Sequence, residues 1–141
     1  MKNNESIFMK LALILTIIAG LLVGAGISSA LNRDDLEMLK KTKECEGCNL
    51  RGANLSSENL SGANLSKADM TGANLHGANL SGANLSEAKL GDAVLSDADF
   101  TGANLTDAHL GGAYMFGTNF SNAKWTDGTT CKPGSLGRCE K

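Results

Sequence analysis

The sequence is poor in net charge, in aromatic residues and in spacings typical of a catalytic site. Its net charge is −2 over 141 residues, which is too small to indicate a nucleic-acid partner or an acidic tail. Serine, aspartate and histidine are all present, yet no spacing sets a nucleophile beside a base. Most of the 17 glycines recur at a fixed period and form no phosphate-binding loop. We therefore expect no catalytic residue, no cofactor and no metal site.

What the sequence has instead is one long repetitive stretch. Residues 48–127 read as sixteen consecutive five-residue units without insertion or deletion, and clear copies begin at Ala63 and Ala73. The third residue of every unit is apolar, and the first is Ala in thirteen units, with Cys48, Glu58 and Thr118 as the exceptions. A fixed period has to be identified first, because it determines the fold.

A period of five fits neither a helix nor a flat strand. On a helix the Leu residues would face every direction, and on a strand they would alternate between faces. A short extended piece followed by a corner does fit, because the first and third residues then share one face. The fourth and fifth residues are mostly Ser or Thr, then Gly, Asp or Asn, which suit turns. Repeated corners wind the chain into a tube lined by Ala and Leu.

The units resemble the consensus of the pentapeptide-repeat family, in which Ala, Asp or Asn, and Leu precede two variable residues. The resemblance covers 80 of the 141 residues. It implies an all-β fold, a right-handed quadrilateral parallel β-helix with four repeats in each coil. About four coils follow, over residues 48–67, 68–87, 88–107 and 108–127, in a tube roughly 20 Å long.

In that architecture residues twenty apart are neighbours, which offers a check on the two polar exceptions. Glu58 and Thr118 fall in one interior column, the first in the first coil and the second in the last coil. An end coil lacks a neighbour on one side, so a polar side chain can reach water there. An unpaired carboxylate in the middle of the tube would be very unfavourable. Both residues therefore support four repeats in each coil.

The first thirty residues differ from the rest. A basic start with Lys2 and Lys10 precedes an apolar run over residues 11–27. The small residues 28–30, which end with Ala30, follow the run. This order is typical of a secretory signal peptide cleaved after Ala30. The alternative is an uncleaved membrane anchor, although the run is at the lower limit for spanning a bilayer. Either way, we expect the array to lie outside the cytoplasm, in the periplasm or secreted.

Residues 31–47 are predicted to cap the N-terminal end of the tube. Asp34 and Asp35 begin a short amphipathic segment that ends in lysines, an order that suits a helix dipole. Its Leu36 and Leu39 would cover the open end, since terminal repeats of solenoids need caps. A helix lying on a membrane surface is the alternative, but the segment has few bulky apolar residues.

The four cysteines lie just outside or at the ends of the array. In an exported chain they indicate two disulfides, for which three connectivities exist. In the tube that the resemblance implies, only Cys45–Cys48 and Cys131–Cys139 are close enough to bond. The second pair would close a C-terminal loop over residues 128–141. The segments around Cys45 and Cys131 are also similar to the flanks of exported bacterial members of the family. A thiol redox or zinc role for the CxxC is the alternative, but the motif lacks a helix N-terminus and a second nearby pair.

The outer surface offers one candidate partner patch. Val94 and Tyr114 replace the usual Asn or Asp and should stack on one face, together with Phe116 and His76. An exposed apolar patch often marks a partner site. The alternative, which we favour from sequence alone, is that the C-terminal loop folds over Tyr114 and Phe116 as a cap. His109 lies on a different face from His76, so the two are too distant to share a metal.

The sequence therefore predicts a non-catalytic, exported structural or protein-interaction module. It predicts an unknown protein partner, no nucleic acid, and no membrane association after signal cleavage. A mimic of duplex DNA that inhibits a topoisomerase such as gyrase is an alternative that the family resemblance raises. That role implies a long, strongly acidic rod in the cytoplasm. Here the array carries four Lys or Arg against eight Asp or Glu and follows an export signal, so we expect the interaction role.

Overall fold

A computed structural model of the protein describes residues 31–141. The predicted signal peptide of residues 1–30 lies outside the described residues. In the described part of the chain, no helix has the length and apolar character needed to cross a membrane.

Helix α1, Arg33–Thr42, is the one α-helix in residues 31–141. Asn32 caps it, because the Asn32 side chain accepts a hydrogen bond from the Asp34 amide at 3.0 Å. Its first turn carries acidic residues and its last turn basic ones, as the helix dipole favours. Leu39 is completely buried in the hydrophobic core. The helix therefore lies where the sequence predicts a cap.

The junction between α1 and the first coil centres on Asn49. The Asn49 amide donates to the Asp35 carboxylate at 2.8 Å. The Asn49 carbonyl accepts from the Asn32 amide at 3.1 Å. No coil precedes Asn49 on its face of the tube, so its backbone groups pair with the helix region instead. These bonds attach the helix to the first coil.

Residues 44–124 form stacked coils joined by parallel β-bridges. Every parallel bridge joins two residues twenty positions apart, from Glu44↔Asn64 to Asn104↔Lys124. Four five-residue units therefore complete one coil, as the family resemblance implies. Each bridge is isolated, and residues 31–141 contain no longer strand. The extended piece between two corners is thus very short.

The first and third residues of the units fill the inside of the tube. From residue 53 to residue 105, every Ala and Leu at these positions is at most 2% exposed. Phe100 and Phe120 are neighbours in one column, with ring centroids 5.4 Å apart. Trp125 then packs edge-on against Phe120 at 4.9 Å. The small Ala side chains let the walls approach, so Leu and a few rings fill the core densely.

The corners are held by side chains of the second residue in each unit. Asn54 is typical: its Oδ1 accepts from the Ser56 amide at 3.2 Å and from the Ser56 hydroxyl at 2.8 Å. The fifth residue then takes a left-handed conformation, for example Gly52 with φ 65° or Asp97 with φ 59°. Gly, Asn and Asp adopt this conformation most readily, which explains their frequency at that position.

Glu58 behaves as its place in the first coil predicts, whereas Thr118 does not. The Glu58 side chain is 38% exposed and lies 2.8 Å from the Lys40 ammonium. Thr118 is completely buried, so the expectation that it reaches water is wrong. Its hydroxyl donates to the Leu95 carbonyl at 2.8 Å. Thr118 is buried because the C-terminal segment covers the last coil at this point, where Gly137 donates to the Thr118 carbonyl.

The C-terminal segment, residues 128–141, lies across the last coil in antiparallel orientation. Antiparallel bridges join Lys124 to Thr130 and Asn119 to Leu136. A turn over residues 126–128, with Gly128 at φ 79°, reverses the chain at this point. The segment therefore covers the two faces that the chain has just completed.

The prediction that this segment covers Tyr114 and Phe116 is wrong. Tyr114 is 66% exposed and Phe116 is 85% exposed. The physical reason is the tight reversal after Trp125, which directs the segment back along the two preceding faces. The C-terminal segment therefore does not extend over the face that carries Tyr114.

Candidate partner-binding surface

Three large apolar side chains are exposed at the C-terminal end of the tube. They are Tyr114, Phe116 and Leu136, the last with 63% exposure. In residues 31–141 the only other exposed large hydrophobic residue is Met38, on α1 at the opposite end. We call the three residues the terminal apolar surface. Phe116 and Leu136 line one groove, and apolar patches exposed in this way often mark interaction sites on soluble proteins.

The position of Tyr114 follows from its column. Parallel bridges connect Asn54 to Asn74, Asn74 to Val94 and Val94 to Tyr114. In the first two coils this column carries Asn, whose side chain closes its own corner. Val94 is half-buried, whereas Tyr114 in the last coil is mostly exposed. The predicted stacking of Val94 and Tyr114 on one face is confirmed.

The neighbouring column brings Phe116 to the same face but leaves His76 at a distance. Phe116 lies one coil below Ser96, since its carbonyl accepts from the Asp97 amide at 2.9 Å. His76 lies a further coil away, with Nδ1 2.9 Å from the Ser96 carbonyl oxygen and 3.8 Å from the Asp97 carboxylate. His76 therefore belongs to a separate polar contact in the middle of the tube. Of the four patch residues, Val94, Tyr114 and Phe116 form the group.

Sequence reasoning missed Leu136 and Met115. Leu136 reaches the surface because the C-terminal segment pairs with Asn119. This pairing depends on the turn near Gly128, which the five-residue period does not predict. Beside the exposed Phe116 ring the segment leaves an open groove of about 650 Å³. The groove is lined by Met115, Phe116, Gly117, Leu136, Gly137, Arg138 and Glu140.

The tube itself is only half closed at this end. Leu110, Ala113 and Met115 are partly exposed, although they occupy positions that are buried in the interior coils. Phe120 and Ala123, under the C-terminal segment, are completely buried. The C-terminal segment therefore covers two faces of the last coil and leaves the other two uncovered among the described residues.

The four cysteines lie in two pairs, one at each end of the tube. The Cα atoms of Cys45 and Cys48 are 5.2 Å apart, and those of Cys131 and Cys139 are 5.1 Å apart. Both separations suit a disulfide. Cys45, Cys48 and Cys131 are at most 5% exposed. Within residues 31–141, no group of three or more ligand-type side chains is arranged to hold a metal ion.

The clearest pKa shifts belong to ion pairs outside the terminal apolar surface. A hydrogen bond from Lys141, followed by bonds from Thr129, holds the pKa of Asp127 well below its usual range. Glu58 accepts a hydrogen bond from Lys40 and raises the pKa of that ammonium. Both pairs are exposed, so their effects are screened by solvent. They indicate structural contacts rather than proton transfer.

Comparison with known proteins identifies one family. The model of the family described as Pentapeptide repeats matches residues 44–82 and 83–122. No curated protein matches the chain.

Two solved structures illustrate the similarity. One is a pentapeptide repeat protein from the Arabidopsis thaliana thylakoid lumen, 28% identical, with 58% of this chain and 71% of that chain covered and a TM-score of 0.47. The other is HetL, a pentapeptide repeat protein involved in heterocyst differentiation regulation from the cyanobacterium Nostoc sp. strain PCC 7120. It is 32% identical, with 62% of this chain and 51% of HetL covered and a TM-score of 0.40. The chain thus spans about half the length of HetL.

Proposed function

Since this chain belongs to the pentapeptide repeat family, we propose that it works without catalysis, as an exported module that binds a partner protein. The terminal apolar surface is the proposed binding site. The observation that carries this proposal is the exposure of Phe116, at 85%, and Tyr114, at 66%, on a tube whose other outward side chains are mostly small and polar. Exposed rings of this kind gain free energy when a partner covers them.

Export is the second part of the proposal. The signal-like order of residues 1–30 supports it, and so does the close pairing of all four cysteines. Disulfides persist in oxidising compartments, so we propose that both pairs are oxidised in the periplasm or outside the cell. The first would then fix the turn just after α1, and the second would close the C-terminal segment into a loop. We also take the coil to be right-handed and quadrilateral, as the family resemblance implies.

Site-specific photocrosslinking in cells tests the binding site. A photoreactive phenylalanine analogue is placed at Phe116, and as a matched control at Ser56. Both positions lie in the same column, but at opposite ends of the tube. We expect a discrete crosslinked product with a second protein from position 116 and none from position 56. Equal crosslinking from the two positions, or none from either, would contradict the proposal.

The same experiment is then repeated with a variant that restores the usual residues of the two columns. Tyr114→Asn and Phe116→Ser match Asn54 and Ser56, so the coil should fold as before. With the photoreactive group moved to Leu136, we expect the crosslinked product to be lost in this variant. Its persistence would place the binding site elsewhere.

A further inference from the structure

The inner coils show which backbone groups join one coil to the next. In each unit the carbonyl of the first residue accepts from the following coil, and the amide of the third residue donates to it. Ala93 and Leu95 are examples: Ala93 accepts from the Tyr114 amide at 2.9 Å, and Leu95 donates to the Tyr114 carbonyl at 2.8 Å. The same groups of the last coil therefore point out of the end of the tube.

On two faces of the last coil, the C-terminal segment pairs with these groups. The Phe120 amide donates to the Ser135 carbonyl at 2.8 Å, and the Thr118 carbonyl accepts from Gly137 at 2.7 Å. On the next face the Ala123 carbonyl accepts from Cys131 at 2.8 Å. An extended antiparallel segment thus takes the place that a fifth coil would occupy.

On the other two faces the equivalent groups have no hydrogen-bond partner within residues 31–141. These groups are the carbonyls of Ala108 and Ala113 and the amides of Leu110 and Met115. Their directions follow from the pattern of the inner coils. Unpaired groups at an edge of this kind are a template for another strand.

The surroundings of this open edge indicate what kind of strand would fit. Apolar surface lies beside it, from Met115 and the terminal apolar surface. The carboxylates of Asp92 and Asp97 lie over the two corners that bound the Tyr114 face, close to Gly112 and Gly117. Among the described residues, neither carboxylate has a Lys or Arg partner, and the one ion-pair contact of Asp97 is with His76, at 3.8 Å. The edge therefore combines backbone donors and acceptors, apolar contact and the negative charge of two carboxylates on the preceding coil. The one cation that lines the groove, Arg138, lies 3.4 Å from the Glu140 carboxylate.

We propose that an extended peptide segment of the partner protein adds as a strand to this open edge. The segment is apolar at alternate residues and carries Lys or Arg beside them. Main-chain hydrogen bonds to Ala113 and Met115 would supply affinity, and contact with Tyr114 and Phe116 would supply specificity, as in other cases of strand addition. The basic residues would pair with Asp92 and Asp97. This inference rests on the proposed function and specifies how that surface binds.

Fluorescence anisotropy with a synthetic peptide tests the inference. The probe is dye-labelled Lys-Val-Thr-Val-Thr-Val-Lys, titrated with the folded protein of residues 31–141 with its cysteine pairs oxidised. One control peptide is N-methylated at each central residue, which removes its backbone donors while keeping every side chain. We expect N-methylation to weaken binding by about tenfold or more, since several hydrogen bonds are lost. A second control with Glu at both ends should also bind more weakly than the probe.

The outcomes separate this inference from the proposed function. Equal binding of the N-methylated peptide would overturn strand addition, while patch-dependent crosslinking at Phe116 would still support the binding surface. Absence of binding by every peptide would also overturn the inference. Unchanged binding of the peptide to the Tyr114→Asn/Phe116→Ser variant would overturn the inference, because the peptide would then bind away from the two rings, while the crosslinking experiment decides on the binding surface. If the protein instead self-associates with its Met115 amide protected, a second copy occupies the edge and the peptide proposal is wrong.

Discussion

Replacing Phe100 by Ala should lower the free energy of unfolding by about 4–5 kcal/mol. Phe100 is completely buried in the third coil, and its ring lies 5.4 Å from that of Phe120 in the same column. Substitutions of buried Phe by Ala span about 3–5 kcal/mol, and the loss is greatest where the surroundings cannot collapse. Here hydrogen bonds to the coils on both sides hold the walls, so the cavity should persist. We therefore expect the upper part of that range.

The matched control is Phe116→Ala, the same change at a side chain that is 85% exposed. Its expected effect is within about 0.5 kcal/mol, as is usual for surface positions. Urea unfolding followed by far-ultraviolet circular dichroism measures both variants. The midpoint should fall strongly for Phe100→Ala at an unchanged slope, and hardly move for Phe116→Ala. A loss below about 1 kcal/mol at Phe100, or similar losses at the two positions, would refute the packing argument.

Three further changes test other parts of the structure. Glu58→Leu should leave stability unchanged or raise it, because the pair with Lys40 is exposed and worth about 0–1 kcal/mol; a loss of several kcal/mol in urea unfolding would contradict its place in the first coil. Thr118→Val keeps the buried shape but removes the hydroxyl bonded to Leu95, so we expect a loss of about 1 kcal/mol; no change in the urea midpoint would mean that this bond contributes nothing. Asp127→Asn should lower the melting temperature at neutral pH but not in strong acid, because the pKa of Asp127 is lowered in the folded state. The stabilisation is present above its ordinary value of 3.8 and is lost as the pH falls through the folded pKa. A difference that stays constant from neutral pH into strong acid would show that the charge plays no part.

The five-residue period predicted a tube lined by Ala and Leu, and the family resemblance implied four units in each coil. Once residues twenty apart are taken as neighbours, the Phe100–Phe120 column and the stacking of Val94 on Tyr114 follow. The place of Glu58 at an accessible end follows as well. These contacts are set by local corners that recur sixteen times, so a single sequence contains many copies of the same signal.

The ends could not be predicted in the same way, since each occurs once. Residues 128–141 contain no repeat, and their direction depends on the turn near Gly128. That turn sends the segment over Thr118 rather than over Tyr114. The burial of Thr118, the exposure of Phe116 and the place of Leu136 all follow from this one reversal. The candidate site was therefore only partly visible in the sequence, through its two unusual aromatic residues.

Amide hydrogen exchange measured by nuclear magnetic resonance tests most directly the central claim, that the tube is open on two faces at its C-terminal end. The Leu95 amide, bonded to the Tyr114 carbonyl, and the Phe120 amide, bonded to Ser135, should exchange slowly. The Met115 amide occupies the same repeat position and should exchange rapidly in the free protein. Slow exchange at Met115 without any added partner would contradict the account, because the edge would then already be covered.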